Sequence, residues 1–203
     1  MLARILTILI IAALAVGGYF FLREKKYPAG VLISKDPIQA EVNGKSNAFI
    51  KGDYDLTPLA MFEIEARVLG VKHYYDAMAK VAQFDLAAGW GPMSDQSILD
   101  QLEISQGNRF YFYEWPKSPP IPKDQIITHS TNIHLIPADS SIQWRIKWLR
   151  RGNLVRLKGF LVEVNGPDIK GWRSSLSRGD TGNGACEILW VESLEKMAQP
   201  GPE

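Results

Sequence analysis

The chain has 203 residues, a formal net charge of +1 and a single cysteine. Acidic and basic residues are mixed along it, so it lacks the basic footprint of a nucleic-acid binder. One cysteine allows neither an internal disulfide nor a multi-cysteine zinc site, and a disulfide-free domain suits either face of a membrane. With 46% hydrophobic and 22% charged residues, the composition is that of a folded domain rather than a disordered one.

A short basic head, with Arg4, precedes an uncharged apolar run from Ile5 to Leu22. About 18 residues is near the lower limit for crossing a bilayer core. Tyr19, Phe20 and Phe21 close the run with interface-favouring aromatics, and Arg23, Lys25 and Lys26 stop it. A cleaved signal peptide would use Ala13-Leu14-Ala15, but the apolar residues continue past that site. The reading is therefore a membrane anchor over residues 1–26, in contact with the lipid bilayer through Ile5 to Leu22. Charge alone weakly favours an inside C-terminal side. The usual export arrangement of a short anchor and a following domain puts the domain in the periplasm, on a single-pass inner-membrane protein.

Residues 27–36 read as a tether, 37–195 as one globular domain of roughly 160 residues, and 196–203 as a disordered tail. Alternation predicts a strand over 38–42, then an Asn43-Gly44 turn. The clearest strand is 61–71. Phe62, Ile64, Ala66 and Val68 share one face, and Glu63, Glu65 and Arg67 share a wet one. Residues 74–88 suggest a short helix with a poor stripe. Ser94 is expected to cap a helix over 95–102, and 109–115 is an aromatic strand. Residues 126–136 read as one or two strands carrying His129 and His134. Asp139 or Ser140 caps a helix over 141–151 that buries Ile142, Ile146 and Leu149 and ends at Gly152. Strands follow over 154–164, 171–176 and 185–191. The fold class is α+β and β-rich: a compact curved sheet or OB-like barrel with two or three short helices, after one N-terminal transmembrane helix.

The chemistry concentrates in the glycine-rich loop 177–184 and in Cys186 behind it. Cys186 with His129 or His134 as base, and Asp180 to orient the imidazole, would make a catalytic set. The competing reading places Cys186 in the core with Ile188 and Trp190 on one strand face. Asp180-Thr181-Gly182 matches the aspartic-protease tripeptide, but Ser177-Arg178-Gly179 precedes it where that motif wants an apolar strand. The glycines form neither a Walker nor a dinucleotide loop, since no helix opens behind them. His73, His129 and His134, with Asp124 or Asp139, lack metal-ligand spacing, so no metal and no cofactor is expected. Trp90, Arg109, Trp172, Ser175 and Arg178 are the ligand-binding candidates. The aromatics, Trp115, Tyr111 and Tyr113 included, are too many to bury fully in so small a domain.

Several phrases carry a resemblance: ARVLGVKHYY at 66–75, DLAAGWGPMSD at 85–95, ISQGNRFYF at 104–112, STNIHLIPA at 130–138, and RLKGFLVEVNGPD with GWRSSLSRGDTGNGACEILWVE between 156 and 192. They resemble an uncharacterised family of bacterial membrane-anchored proteins. The resemblance implies an envelope protein of one N-terminal anchor and one domain, and it carries over no catalytic role. The expected function is a non-enzymatic binding or assembly module at the envelope, with another envelope protein as partner. The alternative is a Cys/His-dependent hydrolase.

Overall fold

A computed structural model describes Thr7 and residues 24–42 and 48–199. The expected anchor, Thr7 apart, and the Asn43-Gly44 turn lie outside the described residues. Among those described, no helix is long and apolar enough to cross a membrane.

Among the described residues the domain is β-rich, with three short α-helices and a strongly curved sheet. Its organising strand is β3, Tyr54–His73, far longer than the alternating stretch the sequence marks. The strand begins in a hairpin with β2, Phe49–Lys51, and then takes β1, Ile38–Glu41, along the same edge. From Arg67 to His73 it pairs with β4, Phe84–Gly89, with a register shift between Val68 and Gly70. A bulge of this kind bends a strand and increases its twist. The sheet continues from β4 to β7, Ser130–Pro137, then parallel to β10, Glu187–Met197, and antiparallel to β8, Leu154–Asn165. β8 also pairs with β3 over Asp55 to Arg67, and β9, Trp172–Arg173, lies against the far end of β8.

Gly159 is where β8 must lie close to its neighbour. A Cβ there would stand 1.8 Å from the Trp190 carbonyl oxygen, beside the irregularity in β10 between Val191 and Ser193. A side chain would force the strands apart.

The helices are α1, Gln96–Leu99, α2, Lys123–Thr128, and α3, Ser140–Lys147. α3 is capped by Asp139, whose side chain accepts from the Ile142 amide at 2.8 Å. The helix ends at Lys147, short of the expected 151 and the Gly152 stop, yet Ile142 and Ile146 on it and Leu149 just beyond it are all buried. They join Phe62, Ile64, Ala66, Val68, Leu86, Leu135 and Leu189 in the main core. A separate cluster on the other side of β4 joins Ala87 to Leu69, Met93, Leu99, Leu102 and Ile126. It is covered by a hairpin of β5, Glu103–Gly107, and β6, Phe110–Glu114.

Six further sequence expectations change. Residues 84–89 are a strand, not part of a helix: β4 is buried on both faces, so its apolar run shows no alternation. Residues 123–128 form α2, so β7 starts only at Ser130. The cap of α1 is Asp95, which accepts from the Ser97 amide, while Ser94 is buried. Arg67 is not on a wet face. It is 1% exposed, donating to the Ser94 carbonyl and to the Gln96 side chain beneath the Tyr27 ring. Nor is 27–36 a loose tether. Tyr27 and Ile33 are core residues; the Leu32 and Ile33 amides both donate to Ser94 Oγ at 3.0 Å, and Tyr27 Oη donates to the Gly152 carbonyl at 2.9 Å. At the other end β10 takes in Lys196 and Met197, paired with Val155 and Leu154, where the sequence suggests the start of a tail.

Candidate functional site

The turn of the β5–β6 hairpin is Asn108 and Arg109, both at positive φ, 51° and 69°. A two-residue hairpin turn needs that geometry, and Asn-Gly is its usual composition. Arginine is held there from several sides. Its amide donates to Tyr74 Oη at 3.1 Å, and its guanidinium lies 4.2 Å from the centre of that ring. The guanidinium also donates to Asp76 at 2.8 Å, the Ala82 carbonyl at 2.9 Å and Asp85 at 3.0 Å. Its carbonyl accepts from Asn132 Nδ2 at 3.1 Å. The arginine side chain thus ties the hairpin to β4, and its carbonyl ties it to β7.

Asp85 is wholly buried and is the centre of this network. Besides Arg109 it accepts from His134 Nδ1 at 2.8 Å and from Asn132 Nδ2 at 3.3 Å. A carboxylate only accepts, so His134 carries its proton on Nδ1. Trp172 lies against the imidazole, ring centres 5.0 Å apart.

Above the network lies a groove of about 290 Å³. One wall is β6, through Phe110, Tyr111, Phe112 and Tyr113; the base is Ser130, Thr131, Asn132 and Cys186; the opposite wall is the loop at Asp180, Thr181 and Gly182. Asp180 accepts from Ser175 Oγ at 2.6 Å, and the Ser175 amide donates to the Cys186 carbonyl at 3.1 Å. Arg178 pairs with Glu187 at 2.6 Å. Glu187 is 1% exposed and also accepts from the Thr131 hydroxyl. Burial outweighs these partners and pushes its carboxyl up to about 7.

The expected catalytic set does not come together. Cys186 Sγ contacts the Arg109 carbonyl at 3.8 Å and Asn132 Nδ2 at 3.9 Å, and among the described residues it has no hydrogen bond to either histidine. His134 is engaged with Asp85. His129 is the C-cap of α2, its Nδ1 donating to the Gln125 carbonyl at 2.9 Å. Asp180 orients a serine, not an imidazole. Burial pushes the Cys186 thiol up to about 12, so it is protonated near neutral pH and a poor nucleophile. Nor does Cys186 share the strand with Ile188 and Trp190, because β10 begins one residue later. Among the described residues no cluster of histidine, cysteine and carboxylate side chains suits a metal ion.

Of the ligand-binding candidates, none lines the groove itself: Arg109 meets Asn132 and Cys186 through its carbonyl, Ser175 holds Asp180, Arg178 holds Glu187, and Trp172 packs on His134. Trp90 is 1% exposed and donates from Nε1 to Asp36. Asp85, Asn132, Thr131 and Glu187 are the polar residues the sequence reading missed. A lone aspartate inside Phe84-Asp85-Leu86-Ala87-Ala88 was the available signal, since a buried carboxylate requires partners. No family model, curated protein or solved structure matches this chain.

Proposed function

We propose that the chain is a membrane-tethered, non-enzymatic envelope domain that binds an extended segment of a partner polypeptide in the groove along β6. The observation that carries this reading is the lining: Phe110, Tyr111, Phe112 and Tyr113 are four consecutive residues of one strand. Side chains alternate across a strand, so a groove lying on one face would be lined by every second residue. A groove lined by all four runs along the strand's edge. Gly107 and Phe110 flank a two-residue turn and exchange hydrogen bonds, which turns the N–H and C=O of Tyr111 and Tyr113 away from β5. Among the described residues no hydrogen bond takes those groups up. An unpaired edge beside alternating side-chain pockets is the arrangement used in strand addition.

The path β3–β4–β7–β10–β8, with β8 returning to β3 and α3 between β7 and β8, supports an OB-like, partly open barrel. By analogy of shape alone, such barrels bind on the face of their second and third strands and at the loop between their fourth and fifth. Here those are β4 with β7, and the loop before Cys186. The apolar run 5–22 supports an inner-membrane anchor, with the domain in the periplasm. A periplasm-dependent reporter fused at the C-terminus tests that orientation.

The groove is tested with decapeptides selected from a random display library against the wild-type protein. Tyr113→Val and Tyr113→Pro both remove the ring, but only proline removes the outward N–H. We expect the proline variant to bind the selected peptides about tenfold more weakly than the valine variant, the size of one lost hydrogen bond. Equal binding by the two variants would refute strand addition.

A further inference from the structure

Helix α3 has a second face that the core does not use. Trp144 and Trp148, four residues apart, stand side by side with ring centres 5.9 Å apart, and Trp144 is 63% exposed. A lone exposed tryptophan needs no explanation, but this pair borders a depression of about 340 Å³ with Leu194, Arg145 and Lys196 around it. The surrounding charge is basic. Arg145 and Lys196 donate to main-chain carbonyls, of Leu194 and Trp148, and so are held in place without carboxylate neutralisation. Lys147 is exposed on the same helix, and the Arg150 guanidinium lies 5.5 Å from the Trp148 ring centre. Just past the helix, Arg151 pairs with Glu24 at 3.1 Å.

That pairing fixes where the N-terminal chain leaves the domain. The Lys25 amide donates to the Arg151 carbonyl at 3.2 Å, and Gly152, at φ 86°, leaves room for it: a Cβ there would stand 2.0 Å from the Lys25 carbonyl oxygen. The apolar run ends at Leu22, two residues before Glu24, which is at most about 7 Å of chain. The aromatic and basic face of α3 is therefore within a few residues of the point where the anchor begins. Tryptophan favours the headgroup layer, and arginine and lysine add electrostatic attraction to anionic lipid there.

We infer that the outer face of α3, with Trp144, Lys147 and Trp148 at its centre, rests on the anionic headgroup surface of the bilayer that holds the anchor. The inference rests on the anchor reading of residues 5–22. The contact would fix the tilt of the domain on the membrane and give the groove a set orientation to it. Two points of attachment, an apolar segment and a basic aromatic face, hold a domain more firmly than either alone.

The test uses the full chain in a Cys186→Ala background, reconstituted into vesicles of phosphatidylcholine with or without phosphatidylglycerol. A polarity-sensitive fluorophore is placed through Trp144→Cys or, as the reference site, Lys170→Cys. Lys170 is exposed and follows the far end of β8, whose 12 residues from Leu154 to Asn165 span up to about 36 Å. We expect blue-shifted emission at position 144 and loss of emission there with headgroup-level spin-labelled lipid, both stronger with phosphatidylglycerol and both absent at position 170. A chain that stays with the vesicles through an alkaline wash but responds alike at the two sites overturns the surface contact and leaves the anchor standing. A contact at 144 indifferent to phosphatidylglycerol overturns its electrostatic half. A chain stripped from the vesicles by the wash overturns the anchor, and the surface contact with it.

Discussion

Two segments pack across strand ends in this molecule, and they do so differently. Residues 24–36 bring Tyr27 and Ile33 into the core, and their amides are answered by Ser94 and Gln96. The loop from Ser175 to Cys186 is tied down at intervals, by Ser175 to Asp180 and by Arg178 to Glu187, and between those ties it leaves a groove against the unpaired edge of β6. The first segment buys stability with buried apolar side chains. The second holds polar groups at the surface and leaves backbone unpaired beside them. The first segment fills its own space; the second stops short of the neighbouring strand and leaves a groove.

The sharpest way to break this contrast is to find chemistry in the second region. A thiol at about 12, against an ordinary value of 9.0, has its thiolate population near neutral pH lowered about a thousandfold. We expect Cys186 in the folded protein to react with iodoacetamide about a thousandfold more slowly than in urea. A rate equal to or above that of the unfolded chain would revive the hydrolase reading.

The first region is tested by filling its closest approach. Gly152→Ala places a Cβ in a left-handed backbone conformation and against the Lys25 carbonyl. We expect a loss of about 4 kcal/mol in denaturant unfolding, from the conformational cost and the overlap together. Hydrogen exchange should accelerate first at Leu32 and Ile33. A neutral substitution would mean that residues 24–36 are not an integral part of the fold.

The smallest expected effect is a pH dependence in the second region. The carboxyl of Glu187 is raised in the folded state from 4.5 to about 7, so the folded state holds the proton more tightly than the unfolded state. Its contribution to stability is fully present below about 4.5, is lost as pH rises from there to about 7, and is constant above. We expect wild-type stability to fall by an amount on the order of 3 kcal/mol across that window. Glu187→Gln should remove most of that slope. If both proteins follow the same pH profile, Arg178 keeps the carboxylate ionised, and the loop is held more tightly than the contrast allows.

The sequence was informative where one local pattern had one physical cause. Phe62, Ile64, Ala66 and Val68 alternate because one side of β3 faces the core, and all four are buried. Asp139 followed by Ile142 and Ile146 marks a capped amphipathic helix, although the helix ends at Lys147 and not at the glycine, Gly152, that the sequence offers as its stop. It was uninformative where burial came from elements distant in sequence. β4 is covered on both faces, so it carried no period to read. Arg67 stood in an alternating strand as one more outward charge, and only Tyr27 and Gln96, 40 and 29 residues away, bury it.

The same division governs the site. By itself the sequence determined that chemistry-bearing residues gather near Cys186, that the glycines there answer to backbone geometry, and that aromatic residues crowd 110–115. It also determined the apolar run that a bilayer would receive. Only the tertiary structure decided that Cys186 faces Asn132 and the Arg109 carbonyl, that His134 belongs to Asp85, and that the edge of β6 is left beside a groove. The physical reason is one of range. Periodicity, capping and turn chemistry act within a few residues of each other. Which thiol meets which imidazole depends on strand register, and here the curvature of β3 and the parallel pairing of β7 with β10 set it.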